Sequence, residues 1–434
     1  MLDIKYIRDN KDTVVNVLRN KNIEVDIDLL LALDMERRGL INVTDGHKAR
    51  QNKVSLEIPQ LDGNERATRI QEMAVLKEQI KANEEKLAEV EDRYIHLLKK
   101  VPNIPTDDVP VGKSDEENVV IKTVGEKTSF DFEPKTHWHI AEERGLIDKK
   151  RAANVAGARF AYIKGDLVRL QLAIVQFVMN TLTNEKIITQ IVAENELKVS
   201  TKPFVPVLPP LMIRTEMYDA MDRLEPSEDR YKIEGEELWL QGSAEHVIGS
   251  MHADETFEEK DLPMRYIGYA TSFRKEAGTY GKDTEGIFRV HQFDKLEMES
   301  FSTPDTSLNE HLLFVAIQEY LMQQLGLPYR VLLKCTGDIG KPNARGIDID
   351  AWLPGQNAYR ETHTADYMTD YQARRLNTRV KNSEGKFEFV HTNDATAFAL
   401  GRILIAIIEN YQNEDGSIRI PEVLIPYCGF KTIP

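Results

Sequence analysis

Between positions 73 and 97 the chain places Met73, Leu76, Ile80, Asn83, Leu87, Val90, Tyr94 and Leu97 in steps of 3, 4, 3, 4, 3, 4 and 3. That is the a/d repeat of a coiled-coil helix, with Asn83 as one polar position in an otherwise apolar seam. A looser series precedes it: Leu29, Leu33, Leu40, Val43, Val54 and Ile58. The breaker cluster Pro59-Gln60-Leu61-Asp62-Gly63-Asn64 lies between the two. The pattern predicts two antiparallel helices joined by a turn, an arm roughly 50 Å long at about 1.5 Å of rise per residue. Such an arm could serve oligomerisation or grip a partner.

Beyond it the periodicity changes. Val101-Pro102-Asn103-Ile104-Pro105 ends the arm and opens a linker rich in Pro, Asp, Gly and Lys up to about Gly125. An amphipathic helix is expected near 164–184. The Pro-rich run 201–214 looks strand-like, and proline restricts such strands to edges or starts. Runs at 237–241, 264–273, 286–299, 329–335 and 347–353 suggest a mainly antiparallel sheet with helices packed on it. The predicted fold class is therefore α+β. A helical domain with a coiled-coil arm occupies 1–105, and a sheet domain flanked by helices occupies 106–434.

Composition supports soluble globular cores, with 41% hydrophobic and 29% charged residues. The net charge of −15 argues against indiscriminate nucleic-acid binding, though it allows a local basic patch. No partnership with DNA is expected. Cys335 and Cys428 stand far apart, with no disulfide framework and no metal knuckle. No secretory signal is visible, and the apolar run at 403–408 is too short to span a bilayer. A cytoplasmic protein with no membrane contact is expected. No further Cys, His or carboxylate cluster completes a metal site around the pair His137 and His139, which is expected to be structural.

Chemistry concentrates at 271–299, TSFRKEAGTYGKDTEGIFRVHQFDKLEME. Two β-like runs flank a Gly-rich charged loop. In the second run Arg289, His291, Phe293, Lys295 and Glu297 alternate with mostly apolar residues, so they should share one strand face. Arg274 and Glu276 sit two apart in the first run. Burying this much charge is costly unless the groups are paired or meet a ligand. A nucleotide would satisfy them, with arginines on phosphates, Phe293 on a base and carboxylates on amino groups or a metal. No GxGxxG or GxxxxGK[ST] motif offers another route to a nucleotide.

The segment FRKEAGTYGKDTEGIFRVHQFDKLE resembles motif 2 of the class II aminoacyl-tRNA synthetases, in the form found in seryl-tRNA synthetases. LDMERRGLINVTDGHKARQNKVSLEI resembles the first arm helix of that family, and NIPTDDVPVGKSDEEN its linker. The run at 201–214 resembles motif 1, and Gly401-Arg402 before an apolar helix resembles motif 3. The resemblance covers almost the whole chain. It implies activation of L-serine with ATP and Mg²⁺, followed by transfer to tRNA(Ser). It leaves charging of tRNA(Sec) open. It also implies a homodimer whose coiled-coil arm grips the tRNA, with Arg37, Arg38, Lys48, Arg50, Lys53, Arg66, Arg69, Lys77 and Lys81 as possible phosphate contacts.

Residue by residue, the resemblance implies that Ser243, Ala244 and Glu245 bind the serine amino group. Arg274 would hold the α-phosphate and the amino-acid carboxylate, and is assigned a catalytic role together with Arg402. Glu276 and Val290 would read adenine while Phe293 stacks on it, with Lys275 nearby. Glu297 and Thr396 would contact the serine hydroxyl. Glu361, Thr362, His363 and Thr364 would line the triphosphate, Glu361 and Thr364 holding Mg²⁺. Arg402 would take the γ-phosphate at a helix start.

Three places depart from the family pattern. TEMYDAMDRLEPSEDRYKI stands where T-G-Q is common, Thr364-Ala365-Asp366-Tyr367 where S-C-S-N is common, and Asp394 where Asn is common. All lie close to the amino-acid pocket. Another class II ligase acting on a different amino acid, and a non-catalytic scaffold on the same fold, are the competing readings. The latter is weakened because Arg274, Glu361 and Arg402 are all present.

Overall fold

The computed structural model describes residues 1–276, 283 and 285–434. Most of the Gly-rich loop expected after Glu276 therefore lies outside the described residues. The chain divides into two compact units, Met1–Ile104 and Pro105–Pro434.

In the first unit, two short helices (Ile4–Asp9 and Lys11–Asn20) precede the hairpin of α1 (Ile27–Glu57) and α2 (Gly63–Lys100). Asp26 caps α1, its carboxylate accepting from the Leu29 amide at 2.9 Å. The chain reverses through a 3₁₀ turn at Ile58–Gln60, where Pro59 ends the helical hydrogen bonding. The α2 seam follows the expected heptad, burying Leu76, Ile80, Val90 and Tyr94. At its end Leu98, rather than Leu97, is buried.

The α1 seam differs from the expected series. Leu29 and Val43 are 39% and 49% exposed. The positions turned inward are Leu30, Leu33, Arg37, Leu40, Thr44, His47, Gln51, Val54 and Ile58, which also step by three and four. Four polar side chains in that seam hide the repeat. Arg37 is satisfied there by Glu91 at 2.9 Å and by the Tyr94 ring at 5.4 Å. Further ion pairs cross the hairpin at Lys48–Glu84 (2.7 Å), Arg50–Glu72 (2.5 Å) and Lys86–Glu36 (2.8 Å).

In the second unit eight strands form one sheet. They are β1 (Val119–Val124), β2 (Val205–Val207), β3 (Met264–Phe273), β4 (Gln292–Ser302), β5 (Tyr329–Leu333), β6 (Arg345–Leu353), β7 (Ala358–Thr369) and β8 (His391–Ala399). Their order is β1-β5-β6-β7-β8-β4-β3-β2. Every pairing is antiparallel except β2 with β3, and Pro206 sits on that edge strand. Helices α3 (Asp166–Leu182), α4 (Ser307–Gln324) and α5 (Leu400–Asn410) contribute to the main core with Ile267, Leu296 and Met298 of the sheet. The other sheet face is left for Lys295, Glu297 and Glu299. The fold class is thus the expected α+β, with an antiparallel sheet flanked by helices.

Two expectations need correction, and strands β7 and β8 were not among the expected runs. Residues 119–124 of the supposed linker form edge strand β1. The strand expected at 286–299 begins only at Gln292, so residues 286–291 reach the site as turns. Strand β8 carries TNDATAFA, which lacks the alternation that would have revealed it. It is central and buried on both faces.

A buried ion pair locks this frame. Arg265 forms two 2.7 Å hydrogen bonds to Glu310, both side chains being 0% exposed. Its remaining N–H groups donate to the carbonyls of Lys202 (2.6 Å) and Ser200 (2.8 Å). Replacing Arg265 with Met strands the Glu310 carboxylate and should cost about 3–5 kcal/mol. Urea unfolding measures this, and a loss below about 1 kcal/mol would contradict the account.

Candidate active site

Strand β3 ends at Phe273, and the ladder continues irregularly. The Arg274 amide donates to the His291 carbonyl at 3.0 Å, and His291 Nδ1 donates to the Arg274 carbonyl at 2.8 Å. This clip carries Arg274 and Glu276 beyond the strand on one side and Arg289 and Val290 on the other. His137 supports the return leg from behind. Its Nδ1 donates to buried Glu409 at 3.0 Å, and its Nε2 accepts from the Ile287 amide at 3.4 Å. Gly286 must lack a side chain, because a Cβ there would lie 1.9 Å from His137 Nε2. His137 is structural, as expected.

The resulting cleft is lined by Arg274, Glu276, Val290, Phe293, Lys295, Glu361, Thr362, Thr364, Thr396 and Arg402. Arg274 lies over the Phe293 ring at 5.5 Å and anchors its Nε on the Gly242 carbonyl at 2.8 Å. Glu276 is held by Arg289 at 2.9 Å. Arg402, on the first turn of α5, contacts Glu361 at 2.7 Å and the Phe288 ring at 4.8 Å. Nearby charges work on Glu361. Its surroundings oppose ionisation, but Arg402 and Lys334 outweigh them and hold the carboxyl down to about 2. Two planar faces and two fixed guanidinium forks make a slot for a flat ring carrying phosphates.

Lys295 of the cleft lining meets a buried, acid-rich cluster. Lys295 is buried, donates to Ser243 Oγ at 3.0 Å, approaches Glu245 at 3.7 Å and contacts Glu297 directly. Burial opposes Lys295's charge, but Glu297 and Glu245 hold its pKa raised. Glu245 stays ionised. Burial works against it, yet Lys295 and His246 hold it well below the usual carboxylate range. Glu297 differs: burial pushes it up to about 7, with Lys295 only partly offsetting the effect. One of its oxygens has no hydrogen-bond partner.

Several expected residues take other positions. Lys275 lies over the Tyr231 ring at 5.4 Å and does not line the cleft. Ala244 is fully buried in the second apolar core, so only its backbone can face a ligand. His363 is 1% exposed against Phe398, ring centres 5.2 Å apart, and burial lowers its pKa to about 3. Its side chain does not line the cleft. Thr362 donates to the Ile349 carbonyl at 3.1 Å. Gln318 on α4 ties the site from behind, donating to the carbonyls of Thr364 and Thr396 at 2.8 Å each.

Lys295 belongs to the expected charged strand face but was given no role, and Arg223 escaped the sequence reading. Lys295 carried a signal, since it alternates with core residues of β4. Arg223 carried none that spacing could reveal, because a turn brings it in from afar. It reaches Asp394 at 3.4 Å and approaches both Glu245 and Asp366 at 4.0 Å. The three departures from the family pattern therefore meet at one point.

A cleft shaped for a flat ring and phosphates on the open face of an antiparallel sheet, with one arginine just past a strand and another at a helix start, fits the catalytic core of a class II aminoacyl-tRNA synthetase. The model of the tRNA synthetase class II core domain (G, H, P, S and T) matches residues 229–411, and that of the seryl-tRNA synthetase N-terminal domain matches residues 1–105. The serine--tRNA ligase of Thermodesulfovibrio yellowstonii is 40% identical over 440 aligned residues, covering 100% of both chains. The structure of seryl-tRNA synthetase from Pyrococcus horikoshii complexed with ATP superposes with a TM-score of 0.89 at 37% identity, covering 100% of this chain and 99% of the other. The cytoplasmic serine-tRNA ligase of Naegleria fowleri in complex with AMP gives a TM-score of 0.83 at 29% identity, over 100% and 98%. The chain belongs to the seryl-tRNA synthetase family. Among the described residues, no helix is long and apolar enough to cross a membrane.

Proposed function

We infer that this chain is a serine--tRNA ligase that forms seryl-adenylate from L-serine and ATP and transfers the seryl group to tRNA(Ser). The observation that carries this reading is the buried, acid-rich cluster of Ser243, Glu245, Lys295 and Glu297 that meets an arginine-walled cleft at Lys295. A small amino acid fits there with its ammonium group on Ser243 and Glu245. Its hydroxyl meets Glu297 and Thr396. Alanine would leave those buried polar groups unpaired, and threonine would bring a methyl group into a packed wall.

The serine carboxylate attacks the α-phosphorus and pyrophosphate departs. Two anions approach each other in that step, so charge neutralisation and alignment dominate. Arg274 is placed to hold both carboxylate and α-phosphate, since its anchored Nε leaves the other guanidinium nitrogens to donate. Phe293 stacks on adenine, while Glu276 and the Val290 backbone read its edge. Arg402 holds the γ-phosphate. A hydroxyl of the terminal tRNA ribose then attacks the adenylate carbonyl, and AMP leaves.

Glu361 and Thr364 fit Mg²⁺, for they bring a carboxylate and a hydroxyl oxygen, both hard donors, to the same cleft lining. The ion would supply charge neutralisation on the phosphates. The 201–214 segment would form the homodimer interface. The arm grips tRNA(Ser), and Lys53, Arg66 and Lys77 suit phosphate contacts best. They are exposed, whereas Arg37, Arg38, Lys48, Arg50, Arg69 and Lys81 are engaged by carboxylates.

Labelled serine should appear on a tRNA(Ser) transcript in the presence of this protein, ATP and Mg²⁺. Failure of transfer, with adenylate formation intact, would contradict the tRNA step. Glu297 adds a pH signature. Serine's ammonium group favours the ionised carboxylate, so binding expels the proton and tightens as pH rises through about 7. The KM for serine should fall about tenfold between roughly pH 6 and pH 8, and Glu297→Gln should flatten the profile. A flat wild-type profile would contradict this role.

A further inference from the structure

Beside Glu245 and Glu297 the sheet carries a row of buried carboxyls. In the sheet register Glu299 of β4 lies opposite Asp394 of β8, and Asp394 lies opposite Asp366 of β7. Directly opposed residues share a face, so three acids stand side by side across three strands, where like charges repel. Glu299 is 0% exposed, and neither of its oxygens has a hydrogen-bond partner. Asp394 is 3% exposed. Glu245 stands beside the row. Among the described residues, only Arg223 brings a cation to all of Asp394, Asp366 and Glu245, at 3.4, 4.0 and 4.0 Å.

The position of Arg223 is built. Asp222 adopts a left-handed φ of 58°, and it is pinned by Arg375 at 2.8 Å and Lys341 at 2.6 Å. The Met221 carbonyl accepts from Gln372 at 3.1 Å. The two residues that lead into Arg223 are therefore both fastened. Arg223 lies outside the adenine and phosphate cleft and does not line it.

We propose that Arg223 is a positioning residue for amino-acid recognition, bridging Asp394 and Asp366 to Glu245 so that the Glu245 carboxylate is aimed at the substrate ammonium group. This rests on the assignment of the pocket to the amino acid. Among the described residues, removing Arg223 leaves the four neighbouring carboxyls with Lys295 beside Glu245 and Lys334 near Asp366, and no cation that reaches across the group. They then compete for protons and for Lys295, and Glu245 loses its alignment. Because Asp394 is the acid nearest Arg223, neutralising it should restore much of what the loss of Arg223 removes.

The experiment is a double-mutant cycle in amino-acid-dependent ATP–pyrophosphate exchange with the full chain. Arg223→Met should raise the KM for serine about tenfold while the KM for ATP stays within about twofold. Asp394→Asn alone should change the KM for serine by less than about threefold, and the double variant should recover most of the Arg223→Met loss. Arg223→Lys should fall between, which guards against a Met variant that folds poorly. An unchanged KM for serine in Arg223→Met, equal losses for serine and ATP, or no rescue by Asp394→Asn would each overturn the proposal. Wild-type protein that exchanges with another amino acid, or with none, would instead overturn the assignment of the pocket to serine.

Discussion

Arg274→Ala lowers serine-dependent adenylate formation about 10³-fold while the protein stays folded. The size follows from where the side chain sits. Its guanidinium is half-buried over Phe293, anchored through one nitrogen on the Gly242 carbonyl. The remaining donors face the cleft where the carboxylate and α-phosphate must meet. Alanine removes the charge that neutralises both anions and uncovers one face of the base-stacking ring. It empties no core, because Arg274 belongs to neither apolar cluster. The melting temperature should therefore move by only a few degrees. Arg274→Lys retains charge but loses the planar fork, and should recover only part of the loss. Near-normal pyrophosphate exchange in Arg274→Ala would remove the residue from the mechanism.

Replacing residues 38–90 with a short Gly-Ser turn should leave serine activation intact and lower charging of tRNA(Ser) on the order of 10²-fold or more. The cut keeps the base of the hairpin, where Leu30, Leu33, Tyr94 and Leu98 are buried. The activation residues all belong to the second compact unit, Pro105–Pro434. The replacement removes Lys53, Arg66 and Lys77, the exposed cations best suited to phosphates. Steady-state charging and pyrophosphate exchange, measured on the same preparation, separate the two steps. Undiminished charging would show that the arm is not the grip. Equal loss of both activities would show that the cut damages the catalytic unit.

How legible each part was depended on what its residues had to satisfy. The α2 repeat was visible because its seam is apolar apart from Asn83. The α1 repeat is equally regular, but Arg37, Thr44, His47 and Gln51 occupy seam positions, so a count of apolar residues drifted to exposed Leu29 and Val43. The charged face of β4 was legible from Lys295 onward, since period-two alternation survives wherever one face is core. It was misleading at Arg289 and His291, where turns imitate the alternation. Strand β8 was hidden because a central strand needs no polar face. Arg223 was beyond any local pattern, because its partners lie on three separate segments of the chain. His363 and Lys275 stand beside motif residues, yet strand geometry turns His363 into the core and Tyr231 draws Lys275 aside.

The most direct measurement is ATP–pyrophosphate exchange with each of the twenty amino acids in turn, without tRNA. The acid-rich cluster and the Arg274 contacts predict exchange with serine well above every other amino acid. Exchange driven by a different amino acid, or none from a folded sample, would contradict the assignment of this site.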